Sequence, residues 1–188
     1  MVAAAHPLAV EAGVTVLRLG GGAVDAAIAV QMVLGLVEPE SSGLGGGAFM
    51  LHWSQEEKKL RAYDGRETAP AAASSRRFVD EAGKPLPFME AAVGGRSVGV
   101  PGVLRMLEMA HRRHGRLRWA ELLQYAIFAA EEGWEMSPRF HAQLERETRL
   151  REDPQARALY YGADGKPKPV GTRLTNRAYG QTVRTLAW

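Results

Sequence analysis

Cysteine is absent from all 188 residues. Its absence excludes a disulfide-stapled scaffold, a thiol nucleophile and any thiolate metal site, although it does not fix the compartment. Long apolar runs are missing too. None approaches the roughly 18 residues needed to cross a bilayer, so no membrane span is expected. Residues 1–7 lack the basic and apolar parts of a secretion signal; if the natural protein is exported, its leader is expected to lie outside this sequence. Charge of one sign is not dominant either: 24 Lys and Arg face 21 Asp and Glu, for a net charge of +3. That balance does not favour a nucleic-acid partner. There is no Gly-Lys-Ser/Thr phosphate loop, no internal repeat and no low-complexity linker. What is present is 46% hydrophobic and 24% charged residues, enough apolar material to offset the entropy of ordering a soluble globular chain. The length suits one domain or a large piece of one.

Residues 8–19 (LAVEAGVTVLRL) place Leu8, Ala12, Thr15 or Val16, and Leu19 on one helical face. His6-Pro7 supplies a first-turn signal, and Gly20, Gly21 and Gly22 a stop. Residues 23–37 (AVDAAIAVQMVLGLV) have only Asp25 and Gln31 as polar members, which predicts a helix buried on nearly all sides. Asp25 sits in its first turn, where a carboxylate opposes the positive end of the helix dipole. After Glu38-Pro39 comes SSGLGGGAFMLHW, with a buried strand expected over 48–53. A charged turn at 55–59 and a second strand over 60–64 complete a hairpin pattern. Residues 65–70 form a polar break, and 71–95 read as irregular, punctuated by Pro85, Pro87, Gly94 and Gly95. Residues 97–100 are a candidate short strand. Pro101-Gly102 opens a helix running to about His114, and another is expected over 119–132. Ser137-Pro138 caps a helix over 139–150, Asp153-Pro154 starts a short one, and a last helical pattern covers 175–188.

Several groups invite a chemical reading. The run Gly43-Leu44-Gly45-Gly46-Gly47-Ala48 formally resembles a dinucleotide fingerprint, but a helix precedes it and a strand follows, the reverse of the required order. It reads instead as a close-packed loop into a core strand, or as backbone approaching a ligand. His111 and His114 can share a helix face, yet they lie in HRRHGRLR, where arginines repel a divalent cation. No metal site is expected there. The same basic run has no interleaved aromatics and suits a solvated helix end better than a phosphate partner. Arg66 is the most informative residue. It follows Gly65 directly after a strand, a position suited to gripping a carboxylate through two parallel hydrogen bonds, with Glu67 and Asp64 available to orient it. A structural arginine–carboxylate pair would look the same in sequence.

Taken together, HPLAVEAGVTVLRLGGGAVDAAIAVQMVLGLVEPESSGLGGGAFM, then YDGRETAP, then GGRSVGVPG resemble the gamma-glutamyltranspeptidase family, and WAELLQYAIFAAEEGWEMSPR continues the likeness across nearly the whole chain. The resemblance implies an α+β fold, part of a four-layer αββα N-terminal-nucleophile hydrolase, mostly helical in this segment. It implies that residues 1–188 are the N-terminal portion of a large subunit, without the small subunit. In the family a precursor cuts itself, and the threonine freed at the start of the small subunit is the nucleophile, its own α-amino group serving as base. The threonines here are Thr15, Thr68, Thr148, Thr172, Thr175, Thr182 and Thr185, and none lies in a Thr-Thr-His cleavage context. The resemblance therefore places the nucleophile outside this chain and leaves Arg66, in the RETAP motif, as the group that binds the α-carboxylate of a γ-glutamyl donor.

The implied reaction is transfer or hydrolysis of γ-glutamyl groups from a small molecule such as glutathione, with no cofactor. The implied partners are the rest of the large subunit and the small subunit, with no nucleic acid and no membrane span. The implied compartment is periplasmic or extracellular. By itself the polypeptide is expected to be inactive, and to expose apolar surface where strands from elsewhere would pair. Two alternatives share these residues: a glutaryl or cephalosporin acylase, whose substrate also presents a carboxylate, and a non-catalytic interaction protein built on a truncated enzyme fold.

Overall fold

In the computed structural model, which describes residues 1–188, the chain forms α1 (Pro7–Arg18), α2 (Ala23–Val37), β1 (Ala48–Ser54), β2 (Lys59–Gly65), α3 (Phe88–Ala92), α4 (Val103–His114), α5 (Trp119–Glu132), β3 (Trp134–Glu135), α6 (Pro138–Arg146), a 3-10 turn (Leu150–Glu152), α7 (Pro154–Tyr160), β4 (Arg173–Leu174) and α8 (Arg177–Ala187). The class is α+β and mostly helical, as the resemblance implies. Two compact units are present, residues 1–43 with 110–188, and residues 44–109, the second boundary falling inside α4.

The larger unit is built on α2. Its Val24, Ala26, Ile28, Ala29, Met32, Val33, Leu36 and Val37 are all buried. Helix α1 packs on α2, α2 on α5, and α5 on α8. Gly13 lets α1 come close, since a Cβ there would lie 2.8 Å from Val30 Cγ2. Tyr179 of α8 donates its hydroxyl to the Met32 carbonyl at 2.7 Å. Gly35 leaves room for that phenol, because a Cβ would stand 2.6 Å from its oxygen. Burial pushes the Tyr179 hydroxyl well above its ordinary range, so it remains the donor.

Asp25 does more than oppose the dipole of α2. It is fully buried, and its Oδ2 accepts from the Gly22 N–H at 2.8 Å and from the Arg116 N–H at 2.9 Å, 91 residues along the chain. The carboxylate thus pins the turn between α4 and α5 to the start of α2. His111 fills the adjoining space, its Nε2 2.9 Å from the Leu117 carbonyl oxygen and 3.8 Å from Asp25 Oδ1, with its ring edge-on to Trp119 at 5.4 Å. The pairing of Asp25 with a distant backbone leaves no trace in sequence.

Helix α6 ends at Arg146, four residues before the sequence pattern predicts. The Glu147 carboxylate accepts from the backbone N–H groups of Arg149 and Leu150, at 2.7 and 3.3 Å. That local bond competes with the helix and turns the chain into the 3-10 segment. Ser137, Asp153 and Asn176 each cap the helix that follows, through bonds of 3.0, 2.8 and 3.0 Å.

In the smaller unit β1 and β2 pair antiparallel from Ala48↔Gly65 to Ser54↔Lys59. Lys58 closes the turn in a left-handed conformation, φ 53°. The strand at 48–53 was expected to be buried, and here the structure corrects the sequence: Phe49, Leu51, Trp53 and Leu60 are 69, 71, 53 and 61% exposed. Strand alternation puts them on one face, and nothing else in the smaller unit covers it. The segment at 97–100 is not a strand but contributes a single bridge, Thr68↔Val100. Within the stretch read as irregular, residues Phe88–Ala92 make the short α3.

Two expectations follow. Glu38, at the C-terminal end of α2, is 1% exposed, with Arg139 Nε 3.1 Å from its Oε2 and 3.5 Å from Glu40 Oε1. Burial first, then the hydrogen bond and charge of Glu40, push its carboxyl above the ordinary range against the opposing pull of Arg139. A raised carboxyl binds protons more tightly folded than unfolded, so folding stability gains as pH falls through the raised value. The stability of the native chain relative to Glu38→Gln should therefore rise between pH 7 and pH 5 in urea unfolding; a constant or falling difference would contradict it. The open hairpin face should make the isolated chain self-associate. Light scattering should show mass rising with concentration and falling in a Phe49→Ser/Leu51→Lys variant, whereas a native chain that stays monomeric at tens of micromolar would remove the case.

Candidate substrate-binding site

Strand β2 ends on Gly65, and Arg66 is the first residue beyond it. Gly65 is buried against α4: a Cβ would lie 2.6 Å from Met106 Cβ and 3.1 Å from the Ala48 carbonyl oxygen. The start of α4 fastens the glycine loop as well. The N–H groups of Gly102 and Val103 both donate to the Gly46 carbonyl, at 3.1 and 3.2 Å. Gly102 also lies so close to the Gly65 carbonyl that a side chain there would collide with backbone. Two residues before Gly102, the Val100 N–H donates to the Thr68 carbonyl at 2.9 Å. Residues 65–68 are thus fixed from two sides.

On this frame the Arg66 backbone N–H donates to Asp64 Oδ1 at 2.9 Å. Its guanidinium Nε stands 3.5 Å from Glu67 Oε2, and its side chain is 69% exposed. Both acidic neighbours named from sequence are therefore engaged, but differently. Asp64 holds the Arg66 backbone and Glu67 flanks the side chain. Glu67 Oε2 is itself buried with no hydrogen-bond partner. The guanidinium is left with N–H donors directed to solvent, the condition for gripping an arriving carboxylate.

Arg66 lines a cavity of about 620 Å³ together with Gly45, Glu67, Thr68, Arg77, Arg96, Ser97 and neighbours. That volume is in the range of small-molecule sites. The glycine loop meets its expectations in part. None of Gly43, Gly45, Gly46 and Gly47 has a left-handed φ. Gly43 and Gly45 have open space where a Cβ would stand, while at Gly47 a Cβ would lie 2.5 Å from Glu67 Oε2 and 2.6 Å from the Gly65 carbonyl oxygen. Close packing therefore accounts for Gly47 but not for Gly43 or Gly45, and Gly45 is the position at which loop backbone borders the cavity. Sequence reading missed Arg77 and Arg96, which lie in a stretch that looked irregular and reach the cavity only through the loop's fold. No group of three His, Asp or Glu side chains is placed to hold a metal ion.

The family model described as Gamma-glutamyltranspeptidase matches residues 9–188. The glutathione hydrolase proenzyme of Bacillus subtilis strain 168 is 46% identical over 134 residues, 71% of this chain and 23% of the relative. Among solved structures, gamma-glutamyltranspeptidase from Pseudomonas nitroreducens complexed with L-DON superposes with a TM-score of 0.88 at 30% identity, covering 99% of this chain and 53% of that one. Cephalosporin acylase from Bacillus halodurans superposes with a TM-score of 0.77 at 27% identity, over 97% of this chain and 34% of that one. The chain thus spans about a quarter of the curated relative and about half of the first structural neighbour. With a family model matched over residues 9–188, nearly its full length, the chain belongs to the gamma-glutamyltranspeptidase family.

Proposed function

We propose that this chain is the N-terminal portion of the large subunit of a gamma-glutamyltransferase or glutathione hydrolase, and that Arg66 binds the α-carboxylate of the γ-glutamyl donor. The observation that carries the reading is the solvent-directed guanidinium of Arg66, set at the edge of a cavity by a strand end that Gly65, Gly102 and Asp64 hold in place. Its partners would be a γ-glutamyl small molecule such as glutathione, the rest of the large subunit and the small subunit. A periplasmic or extracellular site fits the same reading.

The division of labour follows from the chemistry. Arg66 fixes the acid end of the donor, so the γ-carbonyl is held at a set distance from it. The attacking hydroxyl belongs to a threonine outside this chain, whose free α-amino group takes the proton as the oxygen adds to the carbonyl. The tetrahedral adduct expels the amine, leaving an acyl-enzyme that water or an acceptor amine resolves. Arg66 acts in binding and positioning, not in proton transfer, because a guanidinium stays charged throughout the accessible pH range.

A charge-assisted bidentate contact contributes about 1.5–3 kcal/mol, which is about 10- to 100-fold in affinity. In the full-length enzyme Arg66→Gln should raise KM for a γ-glutamyl anilide by that order, with a smaller change in kcat, and Arg66→Lys should recover part of the loss. An unaltered KM in Arg66→Gln would remove Arg66 from the site. The 188-residue chain alone should release no chromophore from the anilide; turnover above background by the purified chain would show that the nucleophile is here after all. The cephalosporin acylase neighbour supports a second reading in which the carboxylate held is that of a glutaryl group. Faster cleavage of a glutaryl amide than of glutathione by the full-length enzyme would favour it.

A further inference from the structure

The cavity beside Arg66 is more basic than one carboxylate requires. Three arginines line it, Arg66, Arg77 and Arg96, against one acid, Glu67. Arg77 and Arg96 are held by each other's backbone. Arg77 Nε donates to the Arg96 carbonyl oxygen, and its Nη2 to that of Gly95 at 3.3 Å. Arg96 Nη1 donates in return to the Arg77 carbonyl oxygen at 3.1 Å. Ser97 braces the same loop, its hydroxyl bonded to the carbonyls of Ala92 and Gly94 at 2.6 and 3.1 Å. This reciprocal clasp orients both side chains but neutralises neither. Carbonyl oxygens take up some N–H donors and leave the positive charges uncompensated, with further donors on each guanidinium. A surface arginine with no function is normally mobile, and two long side chains tied to backbone have already lost much of the rotamer entropy that binding an anion would cost.

Size points the same way. A cavity of about 620 Å³ exceeds what a single amino-acid-sized group fills, since sites in this range take drug-sized ligands. With Arg66 occupied by the α-carboxylate, two further guanidinium groups still line the same cavity.

We infer that Arg77 and Arg96 form a second carboxylate-binding site, which selects γ-glutamyl donors whose leaving group carries an additional acidic side chain over donors with a neutral one. The assignment rests on the Arg66 reading, because it is Arg66 that sets which end of the donor lies toward the other two arginines. The ligand class is an acidic γ-glutamyl peptide.

The test uses the full-length enzyme and two donors that differ in one charge, γ-glutamyl-glutamate and γ-glutamyl-glutamine. The readout is the ratio of their kcat/KM values. That ratio should fall about threefold to fivefold in Arg96→Gln and in Arg77→Gln, as for a solvent-accessible ion pair, and further in the double variant, while Arg96→Lys should retain most of it. Independently of any variant, raising the salt concentration should lower the ratio in the native enzyme, because accessible charge pairs are screened. A ratio unchanged in the double variant, or insensitive to salt in the native enzyme, overturns the inference. If Arg66→Gln raises KM for both donors while the ratio ignores Arg77 and Arg96, this inference fails and the Arg66 reading stands. If the ratio responds to Arg77 and Arg96 but KM ignores Arg66, the Arg66 reading fails and the orientation argued from it fails too. An enzyme with no γ-glutamyl turnover overturns both.

Discussion

Two backbone N–H groups at the start of α4, those of Gly102 and Val103, converge on one oxygen, the carbonyl of Gly46. Much of the smaller unit depends on that meeting. It ties the glycine loop to a helix terminus, satisfies donors that every helix leaves unpaired, and sets the loop beside the last residue of β2. The approach is possible only because Gly47, Gly65 and Gly102 lack side chains where backbone, Glu67 and Met106 crowd them. A methyl group at any of the three would force backbone to shift, and the residue carried at that strand end is Arg66. The glycines here act through the space they leave empty rather than through unusual dihedral angles.

Charge is arranged with the same economy. In the larger unit buried carboxylates serve structure: Asp25 accepts two backbone N–H bonds, and Glu38 lies against Arg139. In the smaller unit the guanidinium groups lining the cavity are only partly compensated. Arg66 has one flanking carboxylate at 3.5 Å, and Arg77 and Arg96 are tied to carbonyl oxygens. Buried charge is costly unless paired, which explains the first pattern. Positive charge left open in a concave surface raises the local concentration of anions.

The open face of the hairpin belongs to the same logic. Phe49, Leu51 and Trp53 alternate along β1 as a core strand's residues do, yet in this chain they face solvent. Family membership supplies the context: the fold to which these residues belong is a layered one, and this chain spans about half of the neighbouring solved structure.

How much could be read in advance varied with the range of the interactions involved. Helix α2 was legible to the residue, because its signals, the preceding glycines, an all-apolar body and Glu38-Pro39, are local. The hairpin was legible for the same reason, and Arg66 stood out from its place after a strand. Burial of β1 was misread, since alternation and composition record what a face is suited to, not whether anything lies over it. The early end of α6 was missed because a carboxylate at Glu147 competes for the same N–H groups the helix would use. The sequence by itself determined the longer helices, the β1–β2 hairpin, the family and one candidate ligand for a carboxylate. Only the tertiary structure decided that Asp25 serves the Arg116 backbone and that Arg77 and Arg96 clasp one another beside Arg66. These are contacts between groups far apart along the chain, and no local pattern of residues encodes which distant backbone a side chain will meet.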